Sequence, residues 1–411
     1  MRIGILCHTS MGGSGVLATE LAVGLSQQGH DVHIIGEKRP FRLDERVTEI
    51  YKDLGDSPPP QSWWGQVFGR IKKSFSRRPE FSSKDISGSL HFHELLTYEH
   101  PLLDSSNLST LRAANTLAGL IDQHKIDLVN AHYVIPHATS ALLARDSGVN
   151  VKVVTTLHGT DITMLGRDPA FYYTTRHAIS ASDGVTAVCK FLSKEAREAF
   201  NLDSEIAVIQ NWVDMDRFKR ITDPKARASF AQKEEMICLH VSNFRPVKRT
   251  EEVVRAFSKI LEQVPARLLL VGDGPEKMKC MELAAELGVL GRIHSIPPSL
   301  SVENIFGIAD FMFLPSQVEG FPLVALEAMA CGAICLASNV GGVGELITDN
   351  VNGYLFEEEN LKDMGDRAVE VFRDEALTSR IRENALETVR ANYTPEKLIN
   401  KYANFYQYVL G

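Results

Sequence analysis

Twice along this chain, short apolar and β-branched runs alternate with longer amphipathic stretches, and that repetition leaves few folds open. Residues 2–7, 31–36, 128–132 and 151–157 have strand character, with a helix expected over 16–28. The pattern restarts at 237–241 and continues through 267–271, 293–296, 311–314 and 333–337, with helices such as 250–264 between them. Strand–helix–strand alternation implies parallel sheets covered on both faces. A chain of 411 residues exceeds what one core usually fills. The expectation is therefore an α/β chain of two Rossmann-like domains, with ligands in the crevice between them.

The boundary is expected within 201–216, which divides the chain into an N-terminal domain over 1–205, a C-terminal domain over 206–390 and a final stretch over 391–411. That last stretch carries Tyr402, Phe405, Tyr406 and Val409 at helical spacing. Residues from about 52 to 90 break the alternation: Trp63, Trp64, Phe68, Ile71 and Phe75 interleave with Arg70, Lys72, Lys73, Arg77 and Arg78. This insertion reads either as a surface excursion packing its own aromatics or as a basic aromatic segment making weak contact with a membrane surface or covering a cleft.

Acidic residues outnumber basic ones 52 to 44, a net charge of −8, which argues against nucleic acid as the main partner. Cys7, Cys189, Cys238, Cys280, Cys331 and Cys335 lie in apolar surroundings without a CxxC pair, so they read as reduced and buried, with no metal site expected. The first apolar run is too short for a signal peptide, and no stretch of 18 apolar residues occurs, so a cytoplasmic protein is expected. A homodimer remains one open assembly.

The most specific string is residues 319–332, where Glu319 and Glu327 flank a helix start at Pro322, expected as the first helical position. Free N–H groups at such a start can face an anion, which suggests a nucleotide-sugar site. Two carboxylates could also be a glycosidase acid and nucleophile. The turn Ser242-Asn243-Phe244-Arg245-Pro246-Val247-Lys248-Arg249 follows the first strand of the second domain and favours nucleotide recognition instead. A departing diphosphate gains negative charge, so Lys248 first and Arg245 second are candidates to stabilise it.

Gly12-Gly13-Ser14-Gly15 follows the first strand, where Gly13, Ser14 and Gly15 would let backbone N–H groups approach a phosphate, although a tight turn also needs glycines. The dinucleotide pattern G-x-G-x-x-G is absent, and Gly272-Asp273-Gly274 runs into Pro275-Glu276, so a nicotinamide cofactor is disfavoured and no cofactor is expected. Two further strand ends carry His132-Tyr133 and Thr156-Leu157-His158-Gly159-Thr160-Asp161 and should line the same crevice.

The 319–332 string resembles the E-x7-E signature of retaining GT-B glycosyltransferases of family 4. The His158–Thr163 and Ser242–Arg249 strings, with Gly12–Gly15 and Ala131-His132-Tyr133, are similar to one subfamily, which acts in bacillithiol biosynthesis. The resemblance implies a GT-B fold with a deep interdomain cleft, an N-terminal acceptor domain, a C-terminal donor domain and a last helix crossing back to the first domain. It implies transfer of N-acetylglucosamine from UDP-N-acetylglucosamine to the hydroxyl of L-malate, with retention and no metal. Glu319 would contact hydroxyls of the transferred sugar and Glu327 the ribose. Asn243 and the backbone around Gly320, Phe321, Leu323 and Val324 would complete the donor site. Ser14, Tyr133, Thr156 and His158 are the acceptor-side candidates, with Arg245 reaching either diphosphate or malate. Alternatives are a family 4 enzyme with a lipid or glycan acceptor, and a nucleotide-sugar binding protein with degenerate catalysis.

Overall fold

The strands form where the apolar runs are continuous, because strands of a parallel sheet are buried on both faces. In the computed structural model, which describes residues 1–8, 12–40, 43, 49–51, 88–95, 108–298 and 302–411, they are β1 (Arg2–Leu6), β2 (Asp31–Gly36), β3 (Glu49–Tyr51), β4 (Ser89–Glu94), β5 (Leu128–His132), β6 (Lys152–Leu157), β7 (Gly184–Ala187) and β8 (Ala207–Val208), followed by β9 (Met236–Val241), β10 (Ala266–Val271), β11 (Ile293–Ile296), β12 (Phe311–Leu314), β13 (Ile334–Ser338) and β14 (Tyr354–Phe356). One sheet has the order β3-β4-β2-β1-β5-β6-β7-β8 and the other β11-β10-β9-β12-β13-β14. The ladders of β1 with β2 and β5, and of β9 with β10 and β12, are parallel. Two parallel sheets with interleaved helices are the fold class expected from the alternation.

Packing divides the chain into two compact units, one of residues 1–155, 181–183 and 409–411, the other of 156–180 and 184–408. In the second unit the core is built around Phe244, Phe257, Phe311 and Phe313, closed by the helices Thr250–Leu261 and Met364–Arg373. All six cysteines are free and buried. Trp212 is fully buried, with its ring edge-on to Tyr402 of the Pro395–Leu410 helix.

β3 and β4 lie inside or beside the stretch read from sequence as an insertion. β4 was hidden because Ser89, His91 and His93 occupy one face, leaving only Leu90 and Phe92 as an apolar signal. Its start is pinned by Gly88 N–H to the Ser26 carbonyl at 3.1 Å and Ser89 N–H to the His30 carbonyl at 3.2 Å. The basic aromatic segment itself, 52–87, lies outside the described residues. Among the described residues no helix is long and apolar enough to cross a membrane.

The helix Ser109–His124 contains an exposed glycine, Gly119, beside which an added Cβ would meet nothing within 4 Å. Glycine costs a helix interior about 1 kcal/mol relative to alanine. Gly119→Ala is therefore expected to stabilise the protein by about that amount, read as a higher denaturant midpoint at unchanged slope.

Candidate active site

In the second unit, four loops at the carboxyl ends of parallel strands converge on the backbone of Glu319-Gly320-Phe321. Lys248, at the end of a short 3-10 turn after β9, donates from Nζ to Glu319 Oε1 at 2.6 Å. Both side chains are largely withdrawn from water, at 21% and 10% exposure. Two residues 71 positions apart, each singled out from sequence, thus form one ion pair.

The turn that presents Lys248 is held from beneath. His240, fully buried in β9, donates from Nδ1 to the Phe313 carbonyl at 2.9 Å, so its Nε2 accepts from the Ser242 hydroxyl at 2.8 Å. Ser242 Oγ in turn accepts the Phe244 N–H at 3.1 Å. Burial holds His240 neutral, pulling its pKa down to about 4; the nearby Lys248 cation acts in the same direction, while the Phe313 carbonyl and Glu319 oppose. Gly272 and Gly274 pack directly under this turn: a Cβ on Gly272 would overlap the Ser242 carbonyl oxygen and one on Gly274 that of Asn243. Asn243 and Arg245 stand exposed beside Lys248.

The loop after β12 is clasped from several sides. Asn211 Nδ2 donates to the Phe321 carbonyl at 2.7 Å, Gly342 N–H to the Glu319 carbonyl at 3.2 Å, and Cys189 Sγ to the Gly320 carbonyl at 3.3 Å. Pro322, expected as the first helical position, is instead the N-cap of the Leu323–Ala330 helix, which starts one residue later, and its carbonyl receives the Ala325 and Leu326 N–H groups. Glu327 lies buried within that helix, Leu323 is buried and Val324 half-buried. Glu345 reaches across to accept the Lys190 and Phe191 N–H groups at 2.9 and 2.8 Å, supplying in trans the cap that their helix start needs.

His158 is half-buried, and its loop is organised by Asp161, a fully buried carboxylate that accepts the N–H groups of His158 and Gly159 at 3.2 and 2.8 Å. Thr156 is fully buried and its hydroxyl accepts from Thr186 at 2.9 Å. Asp161, His240, Asn211 and Glu345 were not singled out from sequence as site residues. The available signal was a polar residue closing an apolar run for His240, and an aspartate two residues after a glycine for Asp161.

In the first unit, Gly13 and Ser14 form the first turn of the Gly13–Gln27 helix, which starts three residues before the expected Val16, with burial beginning at Gly15. Their N–H groups belong to the helix end that lacks intrahelical acceptors. Tyr133 leaves β5 with φ 79° and sets its ring edge-on to His8 at 5.9 Å between centroids. His8 lies 4.2 Å from the His137 ring, a neighbour pair that sequence reading missed. His132 is fully buried beside Asn130 at 3.3 Å. His137 donates to the His132 carbonyl at 2.6 Å, and burial reinforced by His8 pulls its pKa down to about 3.

His137 and His240 give a pH prediction. Their folded pKa values, about 3 and about 4, lie below the ordinary value of about 6.5. Below about pH 6.5 the unfolded chain therefore binds protons that the folded chain refuses, so stability is full above that pH and is lost as pH falls toward 4. The expected slope is about 1.4 kcal/mol per pH unit for each histidine. Denaturant midpoints at pH 7, 6 and 5 read it, and a flat profile across that range would refute it.

Known proteins agree with this architecture. The profile described as Glycosyltransferase Family 4 matches residues 11–217, and that described as Glycosyl transferases group 1 matches 222–388. The chain is 35% identical over 413 aligned residues to the N-acetyl-alpha-D-glucosaminyl L-malate synthase of Bacillus anthracis, covering 100% of this chain and 97% of that protein. It is 30% identical over 210 residues to the D-inositol 3-phosphate glycosyltransferase of Mycolicibacterium smegmatis, covering 49% of this chain and 48% of that one. Among solved structures, Anabaena HepE in complex with UDP and glucose superposes with a TM-score of 0.75 at 16% identity over 99% of each chain. Sucrose-phosphate synthase of Thermosynechococcus elongatus gives 0.76 at 17% identity, covering 100% of this chain and 99% of that one. The two structural likenesses establish the GT-B fold, and with the family profile and the full-length relative they lead to one conclusion: this chain belongs to glycosyltransferase family 4.

Proposed function

We propose that this protein transfers N-acetylglucosamine from UDP-N-acetylglucosamine to the hydroxyl of L-malate, with retention at the anomeric carbon. The observation that carries the reading is the full-length 35% identity to the N-acetyl-alpha-D-glucosaminyl L-malate synthase. The Lys248–Glu319 pair supports it, because an ammonium has three protons to give and Glu319 occupies only one of them. Lys248 can then hold a diphosphate oxygen while Glu319 takes a hydroxyl of the transferred sugar. The N–H groups of 323 and 324 at the helix start offer further donors to the phosphates, Glu327 is the candidate for the ribose, and Asn243 and Arg245 flank the same turn.

In this mechanism the bond from the anomeric carbon to the diphosphate oxygen breaks as the bond to the malate oxygen forms on the same face. The malate proton passes to the departing phosphate oxygen. Lys248 acts where charge develops, on the leaving group. Ser14, Tyr133 and His158 are the candidates for the malate side, and Arg245 serves either malate or diphosphate.

The test is UDP release with mass spectrometry of products, from purified protein given UDP-N-acetylglucosamine with and without L-malate. Malate-dependent UDP release with a glucosaminyl-malate mass is the expected result. Donor binding without malate-dependent turnover would overturn the acceptor assignment while leaving family membership intact.

A further inference from the structure

We propose a metal site, separate from every residue assigned to glycosyl transfer, in which Asp31, His33 and His91 hold one divalent first-row transition ion, with zinc as the best fit. It arises from register. On the parallel strands β2 and β4, Asp31 pairs with Ser89, His33 with His91 and Ile35 with His93. A strand's side chains alternate between faces, so Asp31 and His33 share one face of β2, while Ser89, His91 and His93 share one face of β4. His124, the last residue of the Ser109–His124 helix, sets its ring 4.6 Å from that of His33, tilted by 44°, on this face. Four imidazoles and a carboxylate in one cluster have no counterpart in the requirements of a parallel sheet core, where apolar side chains are the rule.

The donor distances suit a metal. Asp31 Oδ1 lies 3.0 Å from His91 Nε2 and 3.6 Å from His33 Nε2. Ligands about 2.1 Å from a tetrahedral zinc are separated by about 3.4 Å, between those two values. The second observation is at His33, which is 1% exposed and whose Nε2 has no hydrogen-bond partner. Its other nitrogen, Nδ1, lies 2.9 Å from His93 Nε2. In the tautomer that donates Nδ1–H to His93, Nε2 presents a lone pair toward the Asp31 oxygen 3.6 Å away, and in the other its N–H points at that oxygen from too far for a hydrogen bond. In the first, two acceptors facing one another repel, and a cation between them turns that repulsion into two bonds. The hydrogen bond to His93 is then the outer contact that fixes tautomer and ring orientation in histidine–metal sites. Ser89 Oγ, donating to the same Asp31 oxygen, orients the carboxylate in the same way.

Two imidazole nitrogens and one carboxylate oxygen exclude magnesium and calcium, which take oxygen ligands, and suit zinc. The Asp31 side chain is 37% exposed, which gives the ion an entry path and leaves its fourth position to water. The ion would clamp β2 to β4, strands that bracket residues 37–88 in sequence, so its role is to tie the two ends of that stretch together.

The experiment uses the full chain, stripped with a chelator, reloaded with zinc, desalted and analysed for metal content. One zinc per chain is expected for the wild type, with a rise in melting temperature over the stripped protein. Asp31→Asn and His91→Gln, at partly exposed positions, are expected to lose the zinc while keeping the wild-type circular dichroism. His33→Gln should also abolish the visible d–d absorption of cobalt-loaded protein. A wild type that retains no zinc after reloading would overturn the proposal, as would equal retention by Asp31→Asn and His91→Gln. Loss of zinc in His124→Gln with retention in those two would place the ion among other imidazoles and overturn the donor set named here.

Discussion

Lys248→Ala is expected to lower kcat for UDP release by about 10²–10³, the effect of removing one charge-stabilising donor from a transition state. It should also destabilise the fold, because Glu319, whose side chain is 10% exposed, would be left as a withdrawn carboxylate without its cation. Breaking such a pair from one side costs up to about 3 kcal/mol. A double-mutant cycle separates the two consequences. Glu319→Gln removes the charge that needs compensation, so Lys248→Ala in that background should no longer lower the melting temperature. If Lys248 acts on the leaving group, kcat of the double variant still falls about 100-fold below that of Glu319→Gln alone. If the lysine serves only to neutralise Glu319, the two rates coincide and the proposed role is wrong.

The contact between these residues shows where sequence reading stops. Both positions were legible, Glu319 through the spacing of two carboxylates around a helix start and Lys248 through its place after an apolar strand. Their 2.6 Å contact was not, because nothing local encodes a distance across 71 residues. Five strands of the second sheet, β9 to β13, emerge within a residue of the expected limits, since β9, β10, β12 and β13 are predominantly apolar and largely buried, whereas the three-residue β14 was not anticipated. β4 was not either, because one of its faces carries Ser89, His91 and His93, and a period-two pattern that alternates polar residues with Leu90 and Phe92 looks polar. That omission also concealed the histidine cluster, whose members come from β2, β4 and a helix end. Asp161 was inside a string already singled out, yet its task, accepting the N–H groups of His158 and Gly159, is visible only once the loop has a shape.

Gly320→Ala carries the other large expected effect. Its motif position suggested a donor-site backbone, but the physical reason for glycine is steric. A Cβ there would sit well inside 3.0 Å of the His158 carbonyl oxygen, a separation that real Cβ atoms do not show. Neither side of the clash yields cheaply. The His158 loop is tied by two N–H bonds to buried Asp161, and the Gly320 loop is tied by Asn211, Cys189 and Gly342. One methyl must therefore shift a loop that bears His158 or one that bears Glu319 and Phe321. Misplacement of reacting groups by about 1 Å costs about 100-fold in rate, so kcat/KM should fall by that factor or more. Gly291→Ala is the control, since a Cβ there meets nothing within 4 Å, and it should leave the rate unchanged. A Gly320→Ala enzyme that turns over within threefold of wild type would mean that the two loops are free to separate, and that their clasp does not set the geometry of transfer.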